Sequence, residues 1–323
     1  MIPCFNSGNW IYLCLHGLDQ SLGFANMSAH VVIIDDASSE AIQIESKPYR
    51  HLTIEIIRNS QNLGRLQSRL VGLRHVKHTT VMLLDSRVLI QKDFFDSLKN
   101  HYPKVENQCV IASIDFPSNS NLIGVFWYAI AILFWREQIE QKDAFLISID
   151  NFSKSPLGTT CLVGDRESLV DAFTPFEFNN PRYLNDDTRI FRTMINKTTV
   201  IVDPRLKAIY YPRQKLLPFL KHSFHRGRML FDGRRNLSLL LLILFGILLV
   251  PLTSFHLFNV FAVYLCFYLI VCLLIIFAFR RSLSTKLKIS LCCITPLFMP
   301  FYIAGNLRAA IFATWNKTLQ VLL

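Results

Sequence analysis

Acidic residues in this chain gather where short apolar runs end. Val31–Ser39 reads VVIIDDASS and closes on Asp35, Asp36 and small turn residues; Val81–Val88 reads VMLLDSRV and closes on Asp85. At the carboxyl end of a strand, carboxylates face the ligand crevice of an open α/β sheet and can accept hydrogen bonds from a ribose or a base N–H. Asp36 or Ser38 would serve equally as the N-cap of a following helix. Between the two runs, Asn62-Leu-Gly64 leads into Arg65, Arg69 and Arg74. Arg65 and Arg69, four apart on a helix, share a face that suits a diphosphate or a nucleobase, or simply solvent. A last acidic pair, Asp186 and Asp187, stands in LNDDTRI. Transfer of a group to a hydroxyl needs a carboxylate to take its proton, and a like-charged neighbour would raise the pKa of that base. An acidic first helical turn reads the same way.

Groups so far apart in sequence need a scaffold that collects them. Apolar runs at Val31–Ile34, Leu52–Ile57, Val81–Leu84 and Val110–Ile114 predict buried strands, and Gly8–Gly23, Gly64–Lys77 and Lys92–His101 predict helices between them. Such alternation implies a mostly parallel sheet covered on both faces, with ligands at the carboxyl ends of the strands. Asn119–Trp135 is nearly as apolar as a membrane span, but its length is marginal for crossing, and it reads as a buried or interfacial element.

Composition divides the chain. Hydrophobic residues make up 51% and charged residues only 18%, and the apolar excess lies at the C-terminal end. Residues 1–232 are expected to form one α/β domain and residues 233–323 a membrane region. Within the latter, 237–255 and 256–279 carry no charge and reach the ~20 residues that a bilayer core requires. A third span is expected over 289–307, in a run interrupted by Pro296, Pro300 and Arg308. Basic residues flanking the first two spans, Arg226, Arg228, Arg234 and Arg235 before and Arg280 and Arg281 after, predict a hairpin with both ends in the cytoplasm. The net charge of +11 is therefore juxtamembrane, suited to membrane lipids rather than to nucleic acid, for which no aromatic-basic ladder exists. The cysteines have no zinc or redox spacing and read as small buried hydrophobes in a reducing compartment. No basic segment leads into an apolar stretch at Met-Ile-Pro, so no secretory signal is expected.

Taken in order, these stretches resemble family-2 glycosyltransferases of the GT-A fold, from Met1 to roughly Asp232. IPCFN is similar to that family's first strand and loop, with Pro3 and Asn6 at the matching positions. IIDDASS is similar to its V-D-D-x-S, NLGRLQSR to its N-x-G-x-x-x-A-R, LLDSR to its D-x-D strand end, and NDD to its E-D pair. The resemblance implies donor contacts from Pro3, Asn6, Asp35, Asp36, Asn62, Gly64, Arg69 and Asp85, and Arg87, a departure from the family pattern, is expected to place its own charge near the donor diphosphate. It makes Asp187 the catalytic base, with Asp186 tuning it. The basic segment at Arg226 and Arg228 stands near the family's Q/R-x-x-R-W, without its Trp.

The resemblance also implies a divalent metal, Mg²⁺ or Mn²⁺, but Arg87 occupies the third D-x-D position and a guanidinium cannot ligate a cation, leaving Asp85 at most. Tyr210 and Tyr211 stand where the family often has a distal His. The expected activity is inverting transfer from a nucleotide-diphosphate sugar, UDP-linked first, to a lipid-linked or cell-surface glycan acceptor. The expected location is the cytoplasmic face of the cell membrane. A polyprenyl-phosphate sugar synthase and a non-catalytic membrane scaffold are the alternatives.

Overall fold

The computed structural model describes residues 1–45, 48–176, 186–233, 265, 268–270, 272–273 and 283–322. The expected spans at 237–255 and 256–279 lie outside the described residues, apart from a few positions between 265 and 273.

Strand formation follows the apolar runs. β1 (Ile2–Cys4), β2 (Ala29–Asp35) and β3 (Leu52–Arg58) pair in parallel in that order. Val31 and Ile33 of β2 point into one core cluster and Val32 and Ile34 into the other, the period-two split of a strand covered on both faces. α1 (Trp10–Phe24) lays Ile11, Cys14, Leu15, Leu18 and Leu22 on the first of these faces, at helical spacing. α2 (Arg65–His75) covers the second with Leu66, Leu70 and Leu73. Its Gly72 permits the approach, since a Cβ there would lie 2.5 Å from Met1 Cγ and 3.2 Å from Ile34 Cγ1.

β4 (Thr80–Leu84) joins β1 through main-chain bonds in the parallel pattern: the Met1 amino group donates to Met82 O at 2.8 Å, and Leu84 N–H donates to Met1 O at 3.1 Å. Beyond β4 the sheet becomes mixed. After β5 (Val88–Ile90) and α3 (Phe94–His101) come β6 (Gln108–Asp115), α4 (Leu122–Ile139), β7 (Phe145–Leu146), β8 (Cys161–Asp165), α5 (Arg166–Phe173), α6 (Asp186–Met194) and β9 (Thr199–Tyr210). β8 sits antiparallel between β4 and β6, and the order runs β4-β8-β6-β9-β5. The expected strands and helices of the first half are present within a few residues of their predicted ends; the antiparallel β8 was not anticipated.

Cys4, Cys14, Cys109 and Cys161 are buried free thiols. Burial pushes Cys4 and Cys109 up to about 12. They pack as small hydrophobes, as the sequence suggested.

The chain forms two compact units. One gathers Met1–Ser118, the described residues from Phe134 to 176, and Asp186–Tyr211. The other gathers Asn119–Leu133 and the described residues from Pro212 onward, so the compact division and the sequence boundary at 232 do not coincide. α4 passes from one unit to the other next to a kink at Trp135, whose φ of −133° and ψ of 26° are not helical.

In the second unit α7 (Leu216–Gly233) and α8 (Thr285–Leu322) pack with the first turns of α4. Phe126, Trp127, Phe219 and Phe298 form its centre, with ring centroids 5.0–6.5 Å apart. The expected third span falls within α8. Thr285–Ile311 and Leu122–Ile139 are each long and apolar enough to cross a membrane.

α7 and α8 touch through backbone at two glycines. A Cβ on Gly227 would lie 1.9 Å from Tyr302 O, and one on Gly305 would lie 1.9 Å from Phe224 O. Only residues without a Cβ let two helix backbones approach this closely. Gly305→Val should lower the unfolding midpoint of the detergent-solubilised protein, because overpacking of this kind costs about 1–3 kcal/mol or more. Leu307→Ala, at a position 46% exposed on the same helix, should leave the midpoint nearly unchanged. Equal midpoints for the two variants would mean that the glycine crossing does not form.

Candidate active site

Because β1, β2, β3 and β4 run parallel, the loops leaving them emerge along one edge, where short polar side chains tie them together. Pro3 sits within β1 opposite Ile34, and Asn6 follows with a φ of +50°. Asn6 N–H donates to Ser38 Oγ at 3.0 Å and Asn6 Oδ1 accepts from Ser39 N–H at 2.9 Å, joining the first loop to the second. Ser7 Oγ and Ser86 Oγ, 2.9 Å apart, join the first to the fourth.

Asp35 and Asp36 are both buried, and both hold main chain in place. Asp36 accepts from Leu63 N–H at 2.7 Å, from Gly64 N–H at 2.9 Å and from Asn59 Nδ2 at 2.9 Å. Its own carbonyl accepts from Asn62 Nδ2 at 3.2 Å. Gly64, with φ +86°, makes the turn that starts α2. Asp35 accepts from Ser38 N–H at 2.9 Å and from Arg58 Nη1 at 2.7 Å. Burial alone would raise the Asp35 carboxyl, but the hydrogen bonds from Ser38 and Ile42 and the Arg58 charge hold it below its ordinary value. The two carboxylates thus shape the rim of the crevice, with most of their capacity directed inward.

Arg69 has no exposed surface. From α2 its Nη2 donates to Asp85 Oδ1 at 2.7 Å and to Thr159 O at 3.1 Å, and its Nη1 donates to Thr159 Oγ1. Thr159 in turn donates to Asp187 Oδ1, from its hydroxyl at 2.5 Å and from its N–H at 3.3 Å. Arg65 Nη2 stands 3.7 Å from Asp187 Oδ2. Asp85 and Asp187, about a hundred positions apart in sequence, therefore belong to one hydrogen-bonded chain through Arg69 and Thr159. The side chains of both remain about one-fifth exposed, at 20% and 22%. Buried as it is, Arg69 reaches the open crevice through Asp85, whose side chain keeps 20% of its surface. Asp186 begins α6, and its side chain lies outside the described residues.

The Asp35 charge is met by Arg58, while Arg87 is held on two sides. Its Cζ lies 4.6 Å over the Trp10 ring, its Nε donates to Tyr211 O at 2.9 Å, and Tyr211 N–H donates back to Arg87 O at 2.9 Å. Trp10 and Tyr211 rings are themselves 5.1 Å apart. This donor set does not fit a metal built into the protein: an arginine held by an aromatic ring fills the third D-x-D position, and Arg69 occupies one Asp85 oxygen. Among the described residues no group of three His, Cys, Asp or Glu could hold an ion. Arg226 belongs to the other unit, where its Cζ lies 5.3 Å over Trp127; Arg228 is on α7 with its side chain outside the described residues.

The family model described as glycosyl transferase family 2 matches residues 1–153. Those residues belong to glycosyl transferase family 2. The order of motifs and the strand-end loops agree with the expected GT-A α/β domain followed by apolar helix. No curated protein matches the chain.

Among solved structures, it is similar to residues 1–349 of TarS from S. aureus, at 16% identity over 72% of this chain and 65% of that one, with a TM-score of 0.48. A crystal structure of the same TarS fragment in complex with UDP-GlcNAc gives 15% identity over 72% and 66%, with a TM-score of 0.47. GalNAc-T7, crystallised with UDP, GalNAc and Mn²⁺, gives 13% over 71% and 49%, with a TM-score of 0.47. The chain spans about half to two thirds of the length of these proteins.

Thr159 and Trp10 were missed from sequence because neither titrates, and a search for charged groups at strand ends passes over them. The one available signal for Thr159 was its place in GTTCLVGD, directly before an apolar strand.

Charge burial makes the site asymmetric. Asp85→Ala strands a fully buried guanidinium and should cost about 3–5 kcal/mol of stability. Arg69→Met should cost less, because Asp85 is partly exposed and water can solvate it. Chemical unfolding of the two variants ranks them; a larger loss for Arg69→Met would mean that the bonds to Thr159 outweigh the ion pair.

Proposed function

We propose that the chain is an inverting glycosyltransferase that moves a sugar from a nucleotide diphosphate, UDP-linked first among them, to a glycan or lipid-linked acceptor at the cytoplasmic face of a cell membrane. What carries the reading is the hydrogen-bonded chain that brings Asp187 and Asp85 together, added to the family membership of residues 1–153. Asp187 takes the proton of the acceptor hydroxyl as its oxygen bonds to the anomeric carbon. The bond from that carbon to the phosphate oxygen breaks on the opposite side, and the nucleotide diphosphate leaves with the electron pair. Asp85, braced by Arg69, and the rim set by Asn6, Asp35, Asp36, Asn62 and Gly64 hold the donor. Two helices long enough to cross a bilayer support an acceptor that is itself in the membrane.

No step in this reading passes through a metal ion. Arg87, two residues after Asp85 and fixed by Trp10 and Tyr211, supplies a permanent positive charge, and a planar guanidinium pairs phosphate oxygens well.

The test is release of free nucleotide from UDP-, GDP- and dTDP-sugars by the full chain in detergent. Turnover of at least one donor is expected, and turnover of none overturns the reading. Asp187→Asn should lower kcat about 10²–10⁴-fold, the usual worth of a positioned base; retention of more than a tenth removes Asp187 from that role. EDTA should leave turnover unchanged while Arg87→Ala collapses it. A complete loss in EDTA, restored by Mn²⁺, would return the charge to a metal.

A further inference from the structure

We propose that Thr159 is the positioning residue that fixes the proposed base: its hydroxyl, oriented by the buried Arg69, holds the Asp187 carboxylate in its working orientation and links it to the donor-side carboxylate Asp85. The inference rests on the reading of Asp187 given above and deepens it.

The argument is one of donors and acceptors. A guanidinium has no acceptor, so at the contact between Arg69 Nη1 and Thr159 Oγ1 the hydroxyl can only accept. A threonine hydroxyl has a single proton, and with one lone pair engaged by Arg69 that proton goes to Asp187 Oδ1, 2.5 Å away. The Thr159 N–H, 3.3 Å from the same oxygen, adds a second donor from rigid main chain. A carboxylate held by two donors on one oxygen cannot swing about its last bond, so the direction in which it meets an acceptor is set by Thr159.

The segment that presents Thr159 is fixed in turn. Thr159 O accepts from Arg69 Nη2 at 3.1 Å, and the next carbonyl, Thr160 O, accepts from Asp85 N–H at 2.9 Å. Thr159 is 1% exposed, so water does not compete for these bonds. Arg65 and Arg69 are the charged groups of α2 that face this end of Asp187, the first at 3.7 Å and the second through Thr159. The reading above gives the Thr159 hydroxyl no donor contact, and Arg69 keeps its bonds to Asp85 and to Thr159 O without it, so its loss should appear in kcat rather than in the donor KM.

Thr159→Val removes the hydroxyl at nearly constant volume. In the nucleotide-release assay it should lower kcat about 10–100-fold, the scale on which a misplaced group costs rate, with the donor KM within about threefold of wild type. Thr159→Ser, which restores the hydroxyl, should recover kcat to within about threefold. Should the valine variant fail to fold because Arg69 loses an acceptor, Thr159→Ala admits water beside the guanidinium and is read against Thr159→Ser by the same kcat and KM criteria.

The proposal is overturned if the hydroxyl-free variant keeps wild-type kcat while Asp187→Asn is inactive, which leaves the base assignment standing. It is overturned equally if donor KM rises with the loss of kcat, or if the serine variant is as slow as the valine or alanine one. An active Asp187→Asn removes the base reading and this inference together.

Discussion

A single buried cation organises the candidate site. Arg69 carries its charge with no surface open to water. A charge so placed is tolerated only when its partners are close and well aimed. That requirement fixes three things at once: the rotamer of Asp85 at the end of β4, the path of the chain at Thr159 before β8, and the depth at which α2 docks on β1 and β2. The helix can meet the depth condition because Gly72 lets it settle against Met1 and Ile34. The interaction that costs most to bury is therefore also the one that sets the relative positions of the groups assigned to chemistry.

Around this cation the polar residues divide by task. Asp35, Asp36, Asn6 and Ser38 bind main chain to main chain, and the loops they brace form a rim of definite shape. Arg87 lies at the same edge, its charge held by the Trp10 face and the Tyr211 carbonyl. Fixed charge in a preformed setting acts on a developing negative charge without reorganisation, which is the physical basis for assigning it the role of a metal.

Much of this was legible in the sequence, and the reasons are specific. β2 is readable because a strand buried on both faces must be apolar at nearly every position, and VVII followed by two aspartates marks both the strand and its ligand end. α1 and α2 are readable from their apolar spacing and from Gly64. β8 was invisible as an antiparallel neighbour of β4, because pairing direction leaves no local mark on a short apolar run. The aspartate pair at 35 and 36 was located correctly as a strand end, but residue type alone does not tell a carboxylate that binds a ligand from one that binds its own loop. Thr159 escaped because its part depends on what Arg69 and Asp187 do, and no property of the residue itself announces it.

The helical unit has a consequence for biosynthesis. Its first segment, Asn119–Leu133, leaves the ribosome well before the segments from Pro212 onward that complete its core. At ~5–20 residues per second, the interval between Leu133 and Phe298 is on the order of ten seconds or more. Throughout that time Val125, Phe126 and Ala129, buried in the finished unit, have no partner helices to cover them. The order of synthesis therefore makes closure of this unit's core a late event, set by when the helices after Pro212 emerge rather than by how fast the first segment folds.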